Sequence, residues 1–285
     1  MAGKTQSYKK VLYDRTFFIA CLLAVCPPLQ AAAGCEADGK VEPVRVAYVF
    51  DGDTLLLTDD RRVRLIGINT PEIGRDGAPD EPHAREARHL LQSMVDDNGG
   101  RLQLTHGGQK QDRYHRLLAH LYGEKGGNIT AALLRAGAGF AITIPPNLRH
   151  LDCYRQAEAY ARKGRQGVWK RGPLVDAASL KGNESGFRLF RGEIDRVGKS
   201  RRAIWLNLKA GPALRIDHND WRSYFEGWDT DRLPGRPLEA RGWISGSKGQ
   251  QRMRIHHPAD IRWLGPVNTN RIDSAGAIYS PSKAE

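Results

Sequence analysis

Three short stretches of the chain hold residue types that could do chemistry together. Asp51-Gly52-Asp53-Thr54 sets two carboxylates two residues apart between β-rich runs. Alternate residues of an extended segment point to one side, so Asp51 and Asp53 can converge. Converging carboxylates repel unless a cation or base compensates them, and oxygen-rich sites of this kind suit Ca²⁺ or Mg²⁺. Arg64 lies in the third run, which ends in Asn69-Thr70-Pro71-Glu72. It alternates with Leu65, so it is expected to leave the core on one face. Pro71 holds Thr70 extended, which can aim a main-chain carbonyl at a metal and the Glu72 carboxylate at a water. Asp112-Arg113-Tyr114-His115-Arg116 adds two more guanidinium groups, which can fork onto phosphate oxygens. A metal carboxylate, a base carboxylate and two arginines are the parts that opening a phosphodiester requires. Taken singly, Asp-Gly reads as a hairpin turn and each charge as a solvated side chain.

The elements that must position these residues follow from hydrophobic spacing. Val44–Phe50, Thr54–Thr58 and Val63–Ile68 predict three strands joined by short turns, hence an antiparallel meander. Glu81-Pro82 opens a helix whose apolar face is Ala87, Leu90, Leu91, Met94 and Val95, stopped by Asn98-Gly99-Gly100. Arg101–Thr105 and Leu117–Tyr122 supply two further strands. Asn128 caps a short helix through Arg135, and a last helix runs from about Leu148 to Arg162. The expected fold is mainly β with helices (α+β), a small five-stranded barrel of the OB type carrying helices.

In order and spacing, Val49-Phe50-Asp51-Gly52-Asp53-Thr54, Val63-Arg64-Leu65-Ile66-Gly67-Ile68-Asn69-Thr70-Pro71-Glu72 and Asp112-Arg113-Tyr114-His115-Arg116 resemble the staphylococcal-type thermonucleases. The resemblance covers about residues 41–170 and runs on to Gly167-Val168-Trp169. It implies an OB barrel that hydrolyses DNA and RNA with Ca²⁺. It also implies that Asp53 and the Thr70 carbonyl hold the metal, that Glu72 is the general base, and that Arg64 and Arg116 bind the phosphate. Asp51 then lies just outside the inner shell, and Arg113 and Tyr114 are substrate-binding candidates. Two departures stand out. Asn69 occupies the place of a second metal aspartate, which predicts weaker Ca²⁺ binding, or Mg²⁺ or another divalent ion in its place. Ile142 and Ile144 stand where tyrosines line the nucleotide pocket, which predicts poorer base stacking.

The chain has 285 residues, a formal net charge of +12, 40% hydrophobic residues and six tryptophans. That composition excludes wholesale disorder and suits an acidic partner such as nucleic acid. Lys4, Lys9, Lys10 and Arg15, an apolar run from Phe17 to Cys26 and the small residues Ala31–Ala33 predict a secretory signal peptide over 1–33. The run is too short to span a bilayer. An exported, periplasmic or secreted protein, by default a monomer, is the expectation. Cys35 and Cys153 then lie in an oxidising compartment, where they either pair or stay as separate thiols.

The expected order is a nuclease domain over 41–172, a linker over 173–186, a second β-rich and OB-like domain over 187–265, and a tail over 266–285. The second domain is basic and holds five tryptophans, most of them expected to fill its core. His256-His257 reads as surface. Two alternatives to a nuclease stay open: a barrel that binds nucleic acid with a feeble site, and an envelope interaction protein.

Overall fold

A computed structural model describes residues 35–247 and 250–265. The expected signal peptide and tail lie outside the described residues.

The first barrel uses β1 (Glu42–Val49), β2 (Thr54–Leu57), β3 (Arg62–Leu65), β5 (Arg101–Gln111) and β6 (Leu117–Tyr122). Between β3 and β5 come the two-residue strand β4 (Ile68–Asn69) and helix α1 (Ala84–Asp97). The strands close in the order β1-β2-β3-β6-β5 and back to β1, with β3 and β6 parallel and the other pairs antiparallel. Closure follows from period-two patterning. Leu55, Leu57, Val63, Leu65, Leu102, Leu104, Ala119 and Leu121 all point inward and are buried. Each such leucine contributes roughly 2 kcal/mol by leaving water.

Helix α1 covers one side of this barrel with Ala84, Ala87, Leu91 and Val95. It begins three residues later than Glu81, because His83 takes a left-handed conformation (φ 73°) ahead of the first turn. Helix α2 (Ile129–Arg135) is capped by Asn128, whose side chain accepts the Ala131 N–H at 2.9 Å. Strand β7 (Phe140–Ala141) pairs with β4, and helix α3 (Leu151–Lys163) follows. Cys153 on α3 is disulfide-bonded to Cys35, with Cα atoms 5.8 Å apart.

The second barrel repeats the plan. Its strands are β9 (Gly186–Lys199), β10 (Ala203–Leu208), β11 (Ala213–Asp217), β12 (Pro237–Ser247) and β13 (Gln250–Arg254). They close as β9-β10-β11-β13-β12 and back to β9, again with the third and fifth strands parallel. The short helix α4 (His218–Tyr224) stands between the third and fourth strands, as α1 does in the first barrel. The stretch read as a linker is not featureless. Strand β8 (Leu174–Asp176) pairs in parallel with β9, and β14 (Ile261–Trp263) lies along β12. Leu174 and Val175 supply the β-forming residues that the composition of the stretch concealed.

Charge and aromatic contacts join the barrels. Arg241 of β12 is buried and reaches both oxygens of buried Glu158 on α3 at 2.6 Å, as well as the Ala141 carbonyl. Arg162 of α3 forks onto buried Glu239 of β12 with two 2.7 Å bonds. Arg155 binds Asp260 at 3.1 Å and the Ala259 carbonyl. Phe140 stacks on Phe187 across the same joint. His257 is buried, contrary to the surface reading. Its Nδ1 accepts the Ala259 N–H at 3.1 Å, because Pro258 opens a helical turn that needs a cap.

Candidate active site

The connection between β1 and β2 is built around its own carboxylates. Asp51 Oδ1 accepts the Asp53 N–H at 3.0 Å across Gly52. Only glycine fits there: a Cβ on Gly52 would lie 2.6 Å from the Ala87 Cβ and 2.8 Å from Thr70 Cγ2. The turn therefore packs directly on α1, and both aspartates are buried. Asp53 Oδ2 accepts the Thr70 N–H at 2.8 Å and the Thr70 hydroxyl at 3.0 Å. These bonds fasten the end of β4 to the first turn and bring Asn69, Thr70 and Glu72 to the same place.

Arg64 differs from expectation in being buried rather than projected to solvent. Its Nη1 donates to the Leu65 and Ile68 carbonyls, both at 2.8 Å. Its Nη2 lies 3.0 Å from Asp53 Oδ2 and 3.4 Å from Asn69 Oδ1. Main-chain carbonyls and a carboxylate thus hold the guanidinium in one place, where it lines the cleft. Arg116 reaches the cleft from the β5–β6 connection. Asp112 organises that loop, accepting the Tyr114 and Arg116 N–H groups at 2.8 and 3.0 Å and the Arg116 Nε at 2.7 Å. Burial alone would raise the Asp112 carboxyl, but these donors hold it below the usual carboxylate range. Arg113 lies over the Tyr114 ring, and both side chains are exposed at the cleft edge.

Two adjoining cavities receive these groups. A cleft of about 730 Å³ is lined by Asp51, Asn69, Glu72, Arg64 and Arg116, with Arg113 and Tyr114 at its rim. That volume is in the usual range of ligand sites, roughly 300–1,000 Å³. A smaller cavity of about 200 Å³ lies against Arg64, Arg116, Ile142 and Ile144. Burial, followed by repulsion from Asp53, pushes the Asp51 carboxyl up to about 7. Loss of solvent and then the Asp53 charge likewise push Glu72 above its ordinary value, although its residue is exposed at the rim. Crowded acids of this kind favour an added cation. The donors Asp51, Asp53, Asn69 and Thr70 are all oxygen, which fits a hard divalent ion. No group of three His, Cys, Asp or Glu with metal-holding geometry occurs among the described residues. A set of two aspartates, an amide and a main-chain carbonyl would not form such a group.

Three contributors escaped the sequence reading. Arg62 lies over the Phe50 ring at 4.0 Å and lines the cleft, as does Arg75. The period-two pattern that exposed Arg64 as a candidate applies equally to Arg62, two residues before it. Trp243 comes from β12 of the second barrel and also lines the cleft. No pattern in sequence could have placed it there, since its position depends on how the two barrels meet.

The five-stranded OB barrel defines a class of folds that bind oligonucleotides and oligosaccharides through their loops and sheet face. Residues 62–171 match the model of the staphylococcal nuclease homologues. The chain is 30% identical over 140 residues to a thermonuclease of Staphylococcus intermedius, covering 48% of this chain and 81% of that protein. It is 29% identical over 150 residues to a thermonuclease of Staphylococcus hyicus, covering 50% and 83%. It is 28% identical over 148 residues to endonuclease YncB of Bacillus subtilis, covering 50% and 69%. The chain belongs to the staphylococcal nuclease homologue family, and these relatives support a nuclease hydrolase.

Proposed function

We propose that the protein is an exported, metal-dependent phosphodiesterase that cuts DNA or RNA, with Arg64, Glu72 and Arg116 as its catalytic residues. The observation that carries this reading is the convergence of Arg64, Arg116, Glu72 and Asp51 on one cleft, although they come from strand β3 and three separate connections. Asp53, Asn69 and the Thr70 carbonyl would hold a divalent ion, with Asp51 beside them. When bound, that ion supplies Lewis-acid polarisation of a phosphoryl oxygen.

The chain's own groups do the rest. Arg64 and Arg116 donate to the non-bridging oxygens and offset the charge that grows on them as water attacks. Arg64 is already fixed by carbonyls, so little reorganisation is needed at the moment of reaction. Glu72, at the rim and raised above an ordinary carboxylate, accepts the proton of the attacking water more readily at neutral pH. Arg113 and Tyr114 lie where the substrate would run past the rim. Asn69 would contribute an amide oxygen without a charge, so Ca²⁺ should bind weakly and Mg²⁺ or another divalent ion should substitute in assays. Export is supported by the positive, apolar and small-residue sequence over 1–33 and by the Cys35–Cys153 bond, which needs an oxidising compartment.

Digestion of plasmid DNA and of RNA with Ca²⁺, Mg²⁺ or chelator tests the reading, alongside Glu72→Gln and Arg64→Ala. Metal-dependent cutting that both substitutions lower by about a hundredfold or more is the expected result. Tight binding without cutting under every ion would favour a nucleic-acid-binding role instead.

A further inference from the structure

Trp243 is unlike the other tryptophans of the second barrel. Trp221, Trp228 and Trp263 pack against the apolar core, as expected. Trp243 is 44% exposed. It lines the cleft beside Arg116 and Glu72, the adjoining cavity beside Arg64, Ile142 and Ile144, and a third cavity beside Arg254 and His256. Only five large hydrophobic side chains are exposed among the described residues, and three of them, Tyr114, Ile144 and Trp243, border these cavities.

The indole is also braced on one side. Trp243 pairs with Phe187 in the β12–β9 register, and their rings meet edge to face at 5.1 Å. Phe187 in turn stacks on Phe140 of the first barrel. Two residues before Trp243, Arg241 is locked onto Glu158. A rigid aromatic face beside two phosphate-binding arginines is the arrangement that takes a nucleobase. A base inside a duplex has both faces covered by its neighbours, so only an unpaired base can offer a face to the indole.

Resting on the phosphodiesterase reading above, we propose that Trp243 stacks on an unpaired base next to the phosphate held by Arg64 and Arg116. The second barrel thereby completes the substrate site and directs it to single-stranded nucleic acid. Ile142 and Ile144 supply an apolar wall but no π-face, and the stacking surface comes instead from across the barrel joint.

The test compares a single-stranded DNA oligonucleotide with the same backbone carrying abasic residues throughout, using the full-length protein. In the wild type, loss of the bases should raise KM about tenfold or more. Trp243→Ala should shrink that ratio about tenfold, and Trp243→Phe only two- to threefold. A ratio that Trp243→Ala leaves within twofold of the wild type overturns stacking, while metal-dependent cutting by the wild type keeps the nuclease reading intact. A wild type that cuts neither substrate overturns that reading itself. If Trp243→Ala does not fold, fluorescence carries the test. Oligonucleotide should quench tryptophan emission of the wild type, and Trp243→Phe should remove most of that quenching. Equal quenching in both proteins overturns the proposal.

Discussion

The two barrels share strand order, the parallel third-to-fifth pair and the position of a helix before the fourth strand, yet they differ in what their connections carry. In the first, the link between strands one and two is Phe50–Asp53, with two buried aspartates, and the link between strands four and five holds Asp112–Arg116. In the second, the matching links are Ser200–Arg202, which is exposed and has no carboxylate, and two residues between Ser247 and Gln250. The topology is thus a frame, and chemistry resides in the loops it presents. What the second barrel does offer lies on its strand face: buried charges that fasten it to the first barrel, and one exposed indole.

The disulfide staples the first barrel alone. Reduction should lower its stability by about 4–5 kcal/mol, because the bond closes a loop of more than a hundred residues. Thermal melts with and without reductant should show the loss, and equal melting would mean that the bond adds nothing. Next comes the joint. Arg241→Ala removes the nearest charge from buried Glu158, which keeps only the Ala141 N–H at 2.7 Å and Arg155 at 3.9 Å, and should cost about 3 kcal/mol in urea unfolding. A smaller loss, under about 1 kcal/mol, would mean that the barrels are held by their aromatic contacts instead.

Activity separates the two barrels. Arg64→Ala should reduce kcat about 10²–10³-fold, whereas Arg201→Ala with Arg202→Ala should change it by no more than about twofold. Comparable losses would place substrate chemistry in both barrels. Acid gives a last comparison. Burial alone would raise the Glu239 carboxyl, but Arg162 and Arg262 hold it down to about 2. Folded Glu239 therefore binds fewer protons than the unfolded chain between pH 4.5 and 2. The stability it gives is present above about pH 4.5 and is lost as pH falls through 2, roughly 3 kcal/mol in all. Glu239→Gln should flatten that acid limb of the stability profile. An unchanged limb would move the acid sensitivity elsewhere.

The first barrel was legible in sequence because its strands alternate cleanly and its turns use Asp-Gly and Asn-Gly-Gly. Five of its residues with proposed roles, Asp53, Arg64, Asn69, Thr70 and Glu72, lie within twenty positions of one another, so local register alone brings them near. Arg116 comes from a different connection, and it is the parallel β3–β6 pairing that carries its loop to the same cleft. The second barrel was legible as β-rich but not as closed, since closure depends on β9 meeting β12 about fifty residues later. Strand β8 was hidden because three residues between glycine- and lysine-rich flanks carry too little periodicity to register.

The alternating strands, the capped α2 and the supply of charged side chains in the three motifs were set by sequence alone, because each depends on neighbours a few positions away. Tertiary structure alone decided that Arg64 is buried against Asp53 and that Cys35 meets Cys153. It also decided that Trp243 lines the same cleft as Arg116. The last two are meetings of groups that no local spacing brings together, made only when the fold closes and distant segments come into contact, whereas Arg64 is near Asp53 by local register and is buried because β2 and β6 flank its strand.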